Sequence, residues 1–541
     1  MALLRWILGR LLRLPAKQPG KLLIDKGLSV PMRDGVSLLA DYYHLAGDEP
    51  GPVVIMRSPY GREALFGLMA ALLAERGLPV LLQSVRGTAG SGGELNPMHQ
   101  ERDDGADTLA WLHAQPWCSG QVFAFGASYL GNAGWAMASG RPDLLSGLVL
   151  QVTLSNFKDE ILGGGGFTQA GTLGWTQIEM AMTEPGAKME RPKAGSLDDA
   201  HGHLPLGSMD KIAFGRPAPW WQQWLEHAEP SDPWWAAMNY SDAIGQLQAP
   251  VALVAGWQDV FLPYQIRDFQ AAQAAGKRAW LTIGPWAHFT PGGMIEGLRQ
   301  AAGLFGNCRR GAEPFAGRAP VRAYLQVAKQ WLELPSWPPP GVQTNTLYLH
   351  ADGRLSETPP ASDEGARGYT YDPADPTPAL HGPMVMGSSK KPVMTALEQR
   401  ADVLSYSAEA VSDDLDLLGA VSVQLAVHSD RADTDFFVCL CDVDRRGVAV
   451  HICDGYRRLR PGQPPANSAG VRLVTIDCWP TAYRLRRGHR LRLLVASGAH
   501  PRYARNLGTG APLAEAVEMV TAQQQVLHQP ELPCYVQISV R

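Results

Sequence analysis

From Leu23 to His44 apolar and polar residues change places every second position around Met32-Arg-Asp-Gly35, a turn signal, and this predicts an antiparallel hairpin. Short, mostly apolar runs follow at 53–56, 79–83, 122–125, 148–152, 250–256 and 279–284. Each suits a strand buried on both faces. Helical spacing fills the gaps at 65–76, 101–115, 131–138 and 264–275, and Arg318 to Trp331 reads as a final helix of the same unit. Strands alternating with helices predict a mostly parallel sheet covered on both faces, with its chemistry at the carboxyl ends of the strands.

Two regions break this rhythm. Residues 155–245 carry Gly163-Gly-Gly-Gly166 and then tryptophans at 175, 220, 221, 224, 234 and 235, which suggests irregular helices inserted as a cap over the site. After the stiff Pro335-Ser-Trp-Pro-Pro-Pro-Gly341 linker, short alternating runs recur between Gly, Pro and Asp: 346–350, 421–428, 435–442, 448–453, 471–476, 490–496 and 534–540. That pattern predicts an all-β sandwich, of jelly-roll type, over 342–541. The parallel-sheet core then comprises 21–154 and 246–334. No solenoid-type repeat is visible.

Composition narrows the class without naming a chemistry. A chain of 541 residues exceeds the size at which one core stops growing, so several domains are expected. Net charge of −4 gives no electrostatic case for nucleic acid. Seven cysteines, an odd number without a C-x-x-C pair, argue against a disulfide framework and against a zinc ribbon. Buried free thiols and a reducing, cytoplasmic compartment are the expectation. His201-Gly-His203 and the Gly-rich 86–93 loop offer neither metal-ligand nor phosphate-binding spacing, so no cofactor or metal is expected.

Residues 1–20 stand apart. Arg5, Arg10 and Arg13 interrupt the apolar residues, and Pro15 stops the helix, too short to span a bilayer and lacking a cleavage site. On a helical wheel the arginines share one side, while Leu4, Ile7, Leu8, Leu11 and Leu14 share the other. Residues 1–14 could lie on a membrane surface; docking on the protein or on a second subunit is the preferred reading. Oligomeric state is not legible.

The candidate chemistry begins at Gly126-Ala-Ser128-Tyr129-Leu-Gly131, where a buried strand meets a helix. A serine on such a turn is held strained and exposed above the sheet, at a helix N-terminus. The second glycine falls three residues after Ser128 rather than two. Asp259 follows the strand at 250–256, and His288 follows the strand at 279–284. Ser128, Asp259 and His288 thus appear in the chain order of α/β-hydrolase triads, each just beyond a strand. Serine is too weak an acid to attack a carbonyl unaided, so a histidine base and an orienting carboxylate are what this chemistry requires. Trp257, Phe261 and the cap tryptophans are candidates to line an apolar or aromatic acyl pocket.

These motifs resemble the cocaine esterase / X-Pro dipeptidyl-peptidase group of serine hydrolases, which includes α-amino acid ester hydrolases and acylases. The resemblance rests on Met32-Arg-Asp-Gly35, Arg57-Ser-Pro-Tyr60-Gly61, Gln83-Ser-Val-Arg86-Gly87, Gln115-Pro-Trp117, the Ser128 segment, Gly256-Trp257-Gln-Asp259 and Gly284-Pro-Trp286-Ala-His288. In the β region it rests on Tyr371-Asp372-Pro373-Ala-Asp375-Pro376, Thr434-Asp435-Phe436 and Gly488-His489-Arg490. It implies an α/β-hydrolase core, a helical cap and a C-terminal jelly roll. It further implies Ser128 as nucleophile, Asp259 as triad acid, His288 as base, and an oxyanion hole from the Tyr129 N–H and the Tyr60 hydroxyl. Ser84 departs from the family, many of whose members carry Asp there. The implied partner is a small-molecule ester or amide. An ester of an apolar or aromatic acyl group is favoured over an X-Pro dipeptide or an α-amino acid ester. Peptidase relatives bind a free amine through acidic groups that sequence position alone does not identify here. A rival of another class is an inactive scaffold that binds through its jelly roll.

Overall fold

The buried apolar runs become neighbours in one ten-stranded sheet. A computed structural model describes residues 2–47, 49–184, 197–380 and 390–541. Met1 and the Leu4 side chain, both within the expected amphipathic segment, and residues 185–196 of the expected cap lie outside the described set. The strands are β1 (Leu22–Pro31), β2 (Ser37–Leu45), β3 (Gly51–Ser58), β4 (Val80–Ser84), β5 (Cys118–Ala127), β6 (Gly147–Gln151), β7 (Val251–Gln258), β8 (Ala279–Ala287), β9 (Val321–Leu325) and β10 (Gln330–Leu334). Their order is β1-β2-β4-β3-β5-β6-β7-β8-β9-β10. From β4 through β9 every neighbouring pair is parallel, and antiparallel hairpins close both edges.

Helices α1 (Ala2–Leu11), α2 (Ala64–Ala74), α3 (Glu101–His113) and α4 (Tyr129–Gly140) come first in the chain. The cap supplies α5 (Lys158–Ile161), α6 (Ala170–Met182), α7 (Asp198–Gly202), α8 (Met209–Phe214), α9 (Pro219–Glu226) and α10 (Asp242–Gln246). Helices α11 (Leu262–Ala274) and α12 (Pro291–Arg309) complete the core. Phe66 and Met69 of α2 share one apolar cluster with Leu298 and Phe305 of α12. Leu109 of α3, Trp135 of α4 and Phe269 of α11 join the cluster on the opposite face of the sheet.

The expected helix at 318–331 is instead the β9–β10 hairpin. Val321, Tyr324, Leu325, Ala328 and Trp331 mimic helical spacing. Burial nevertheless alternates along β9, with Val321, Ala323 and Leu325 inward, and Val327 and Lys329 turn the chain at φ 68° and 55°. The last core helix is α12, hidden in the sequence because glycine recurs at 292, 293, 297, 303 and 306. Gly293 and Gly297 let it lie close to the sheet: a Cβ on Gly297 would sit 1.9 Å from Gln151 Oε1 of β6.

At the N-terminus α1 packs on α2 and α12. Arg5 Nε lies 3.0 Å and Lys17 Nζ 3.2 Å from the buried Glu75 carboxylate, and Arg299 of α12 donates to Leu12 O at 2.7 Å. Arg5 therefore turns inward, away from the side expected for the arginines, while Leu3, Trp6, Ile7 and Leu11 stay exposed.

Residues beyond the linker form antiparallel sheets. Leu415–Ser429 pairs with Arg472–Leu485 in a seven-stranded sheet, and Leu404–Ser407, Arg490–Ala496, Thr434–Val443 and Ala449–Leu459 build a four-stranded one. Residues from both sheets, Val423 and Val438 among them, pack between them as one apolar layer. This domain is tied to the cap through main-chain bonds, Gln169 N to Arg502 O (2.9 Å) and Ala504 N to Phe167 O (2.8 Å). All seven cysteines are free.

Candidate active site

Strand β5 runs directly into Ser128, which sits at φ 59°, ψ −122° and opens α4. A non-glycine residue in that region is strained and persists only where its surroundings fix it. Here they do. Ser128 N donates to Gln151 O at 2.9 Å, and the Thr153 hydroxyl donates to Ser128 O at 2.9 Å. A Cβ on Gly126 would meet the Leu130 carbonyl at 2.3 Å, and one on Gly131 would meet Thr153 at 2.7 Å. The third-position glycine is thus where the helix crosses the strand-end residue Thr153 most closely.

Asp259 is the first residue after β7 and His288 the first after β8, so both reach the same edge of the sheet as Ser128. His288 Nδ1 lies 2.7 Å from Asp259 Oδ2, and its Nε2 lies 2.9 Å from Ser128 Oγ. Asp259 is fully buried and takes a second bond from Phe261 N at 2.8 Å. Phe261 and Phe289 meet the imidazole edge-on, with ring centroids 5.3 and 4.7 Å away. Such an array can pass a proton from serine to histidine while the carboxylate fixes the ring.

Tyr60 lies in the loop after β3, and its Oη accepts from Trp175 Nε1 of α6 at 3.1 Å. Burial and the nearby Glu179 push its hydroxyl pKa well above the ordinary value, so it stays protonated. The Tyr129 N–H opens α4, where helix geometry leaves it without an internal partner. Its side chain is buried below, donating to Glu101 Oε1 at 2.9 Å. Arg57 Nη1 holds the other oxygen of that carboxylate at 2.6 Å.

Two cavities border Ser128. The larger, 330 Å³, is walled by Tyr60, Phe66, Ile178, Phe289, Met294 and Ile295. A smaller one, 30 Å³, lies between Leu154, Phe157, Trp175 and Phe261, with Glu160 in its wall. Phe261 thus stands at the site. Trp257 does not: it is 4% exposed, donates to Tyr324 O at 2.7 Å and packs on Trp337 under the sheet edge. The expectation that it lines the pocket fails because strand alternation turns it to the opposite face. His203 bonds Ser208 at 2.8 Å, and no cluster of three or more potential metal ligands occurs among the described residues. Ser84, in place of the usual acid, accepts from Arg62 at 2.6 Å, and Arg62 also pairs with Asp41 at 3.1 Å.

Residues 34–290 match the model of the X-Pro dipeptidyl-peptidase (S15) family, and 315–537 match the X-Pro dipeptidyl-peptidase C-terminal non-catalytic domain. The chain is also 30% identical to the cocaine esterase of Rhodococcus sp. strain MB1 Bresler, across 96% of this chain and 99% of that protein. It belongs to the cocaine esterase and X-Pro dipeptidyl-peptidase family of serine hydrolases. Solved structures share the whole architecture. An α-amino acid ester hydrolase superposes with a TM-score of 0.82 at 22% identity, covering 98% of both chains. An aminopeptidase from a marine sediment Thaumarchaeota archaeon does so with a TM-score of 0.82 at 21% identity, covering 97% of this chain and 98% of that one.

Three acidic groups near the site escaped the sequence reading: Glu101, Glu160 and Glu179, all buried. The available signal was a lone charged residue in an otherwise uncharged helix, as Glu179 is in α6, four residues from Trp175.

Proposed function

We propose that this protein hydrolyses a carboxylic ester through an acyl-enzyme on Ser128. The observation that carries the reading is the unbroken line Ser128 Oγ–His288–Asp259, set on a strained turn at the mouth of an apolar cavity. His288 Nε2 takes the Ser128 proton as Oγ attacks the carbonyl carbon, and Asp259 stabilises the imidazolium formed. The Tyr129 N–H and Tyr60 O–H donate to the oxyanion. Collapse expels the alcohol, which takes the proton from His288. Water then repeats the sequence on the acyl-enzyme, releasing the acid and restoring the serine.

Phe66, Ile178, Phe289, Met294 and Ile295 give the larger cavity an apolar wall, which favours an apolar or aromatic acyl group. Seven free thiols favour a reducing, cytoplasmic compartment. A second reading is supported by Glu160. Its Oε1 has no hydrogen-bond partner, it borders the small cavity beside Ser128, and it would suit the amine of an α-amino acid ester. The test is a panel of p-nitrophenyl acyl esters, aminoacyl esters and X-Pro-nitroanilides, run on wild type and Ser128→Ala. Acyl esters are expected to turn over fastest, and Ser128→Ala to lower kcat by about 10⁴–10⁶-fold. Near wild-type turnover in that variant would remove Ser128 from the mechanism.

A further inference from the structure

Behind the Tyr60 hydroxyl lies a carboxyl group that the reaction above does not use. Glu179 of α6 is wholly buried, and among the described residues no arginine, lysine or histidine pairs with it. It rests against the Tyr60 hydroxyl and the Trp175 indole without a well-aligned bond to either carboxyl oxygen. Other titratable groups facing it are Tyr129 on α4 and Glu101 on α3, the latter engaged by Arg57 at 2.6 Å. Burial, reinforced by the Glu101 charge, pushes the Glu179 pKa up to about 8. At neutral pH it is a carboxylic acid, hence a donor as well as an acceptor.

A tyrosine hydroxyl has one proton and two lone pairs. Trp175 Nε1 already fills one lone pair of Tyr60 Oη. We propose that protonated Glu179 is a positioning residue that donates to the other lone pair, leaving the only Tyr60 proton directed at the oxyanion above Ser128. When Glu179 ionises, its carboxylate accepts that proton instead, and the oxyanion hole loses a donor. The inference rests on Tyr60 being an oxyanion donor in the proposed hydrolysis. It adds a device to the site: α6 of the cap sets the direction of the core's oxyanion donor.

The experiment is the pH profile of kcat/KM, which reports the free enzyme, from pH 6 to 9.5 with an ester substrate. Circular dichroism monitors folding at each pH. In wild type kcat/KM falls tenfold per pH unit above the Glu179 pKa, then levels off about 10²–10³-fold below the plateau, the cost of one oxyanion donor. That floor coincides with the rate of Tyr60→Phe, whose own profile is flat on the alkaline side. Glu179→Gln, which cannot ionise, loses the alkaline limb. A limb that persists unchanged in Glu179→Gln, or in Tyr60→Phe, overturns the proposal. Should Glu179→Gln fail to fold, Tyr60→Phe decides alone. Fluorophosphonate labelling separates this failure from failure of the hydrolase assignment. Wild-type Ser128 that labels keeps the assignment however the limb behaves, whereas Ser128 that never labels defeats both.

Discussion

Tyr60 and Tyr129 both border Ser128, and in the proposed hydrolysis they serve it through different atoms. Tyr60 presents its hydroxyl, fixed by Trp175 and backed by Glu179, while Tyr129 presents its main chain and sinks its ring below the helix. Removing the two hydroxyls should therefore give different signatures. Tyr60→Phe is expected to lower kcat/KM by about 10²–10³-fold, with about 1 kcal/mol lost in unfolding free energy as the Trp175 indole loses its acceptor. Tyr129→Phe deletes a buried hydrogen bond to a charged group, costing about 1.5–3 kcal/mol in urea denaturation and less than tenfold in kcat/KM. Equal effects of the two substitutions on rate would refute this division. Side chains on short motifs were legible because strand ends and chain order alone bring Ser128, Asp259 and His288 to one sheet edge. Glu179 was not, nor was the bond from Trp175. Their relation to Tyr60 depends on how a cap helix docks over a core loop 115 residues earlier in the chain, which no local pattern encodes.

At the scale of elements, the decisive unit is the strand β5, the Ser128 turn and helix α4. Backbone approach there is so close that Gly126→Ala would press its Cβ on the Leu130 carbonyl, at 2.3 Å before relaxation. Main chain, unlike a side-chain tip, cannot rotate away. The substitution should cost about 1–3 kcal/mol in thermal unfolding and slow fluorophosphonate labelling more than tenfold as Ser128 shifts from His288. Labelling at the wild-type rate would mean the turn tolerates a wider crossing. Parallel strands were readable because burial on both faces writes uninterrupted apolar runs, as in Val251–Gln258. Helix α12 was missed and the β9–β10 hairpin misread for separate reasons. Gly293 and Gly297, packed on Gln151, depress helical propensity, while the β9 alternation lies inside a spacing that also fits a helix.

For the molecule as a whole, the β domain does more than cover the core, because it holds the cap in place. Tyr503 bridges Thr168, Gln169 and Phe167 exchange main-chain bonds with Arg502 and Ala504, and a Cβ on Gly164 would lie 2.1 Å from Tyr456 O. At one end of this seam His500 Nε2 lies 3.1 Å from His201 O of α7, and Arg505 donates to Gly202 O at 2.5 Å. Burial, then the Arg505 charge, lower the His500 pKa to about 4, against 6.5 ordinarily, while the bond to His201 O opposes them. The folded chain therefore keeps His500 neutral where the unfolded chain protonates it. Between pH 4 and 6.5 the unfolded state binds more protons, so stability rises with pH across that window and is fully present above it. Discounted for partial solvent access, the contribution is about 1–3 kcal/mol. The expected result is that acidification from pH 7 to 4.5 lowers the unfolding free energy of wild type more than that of His500→Gln, by that amount, in urea titrations. Comparing the two proteins cancels the carboxylates they share. Equal acid losses would place the titrating group elsewhere. A larger wild-type loss, accompanied by falling hydrolase activity before global unfolding, would locate the weakest seam where the cap meets the β domain.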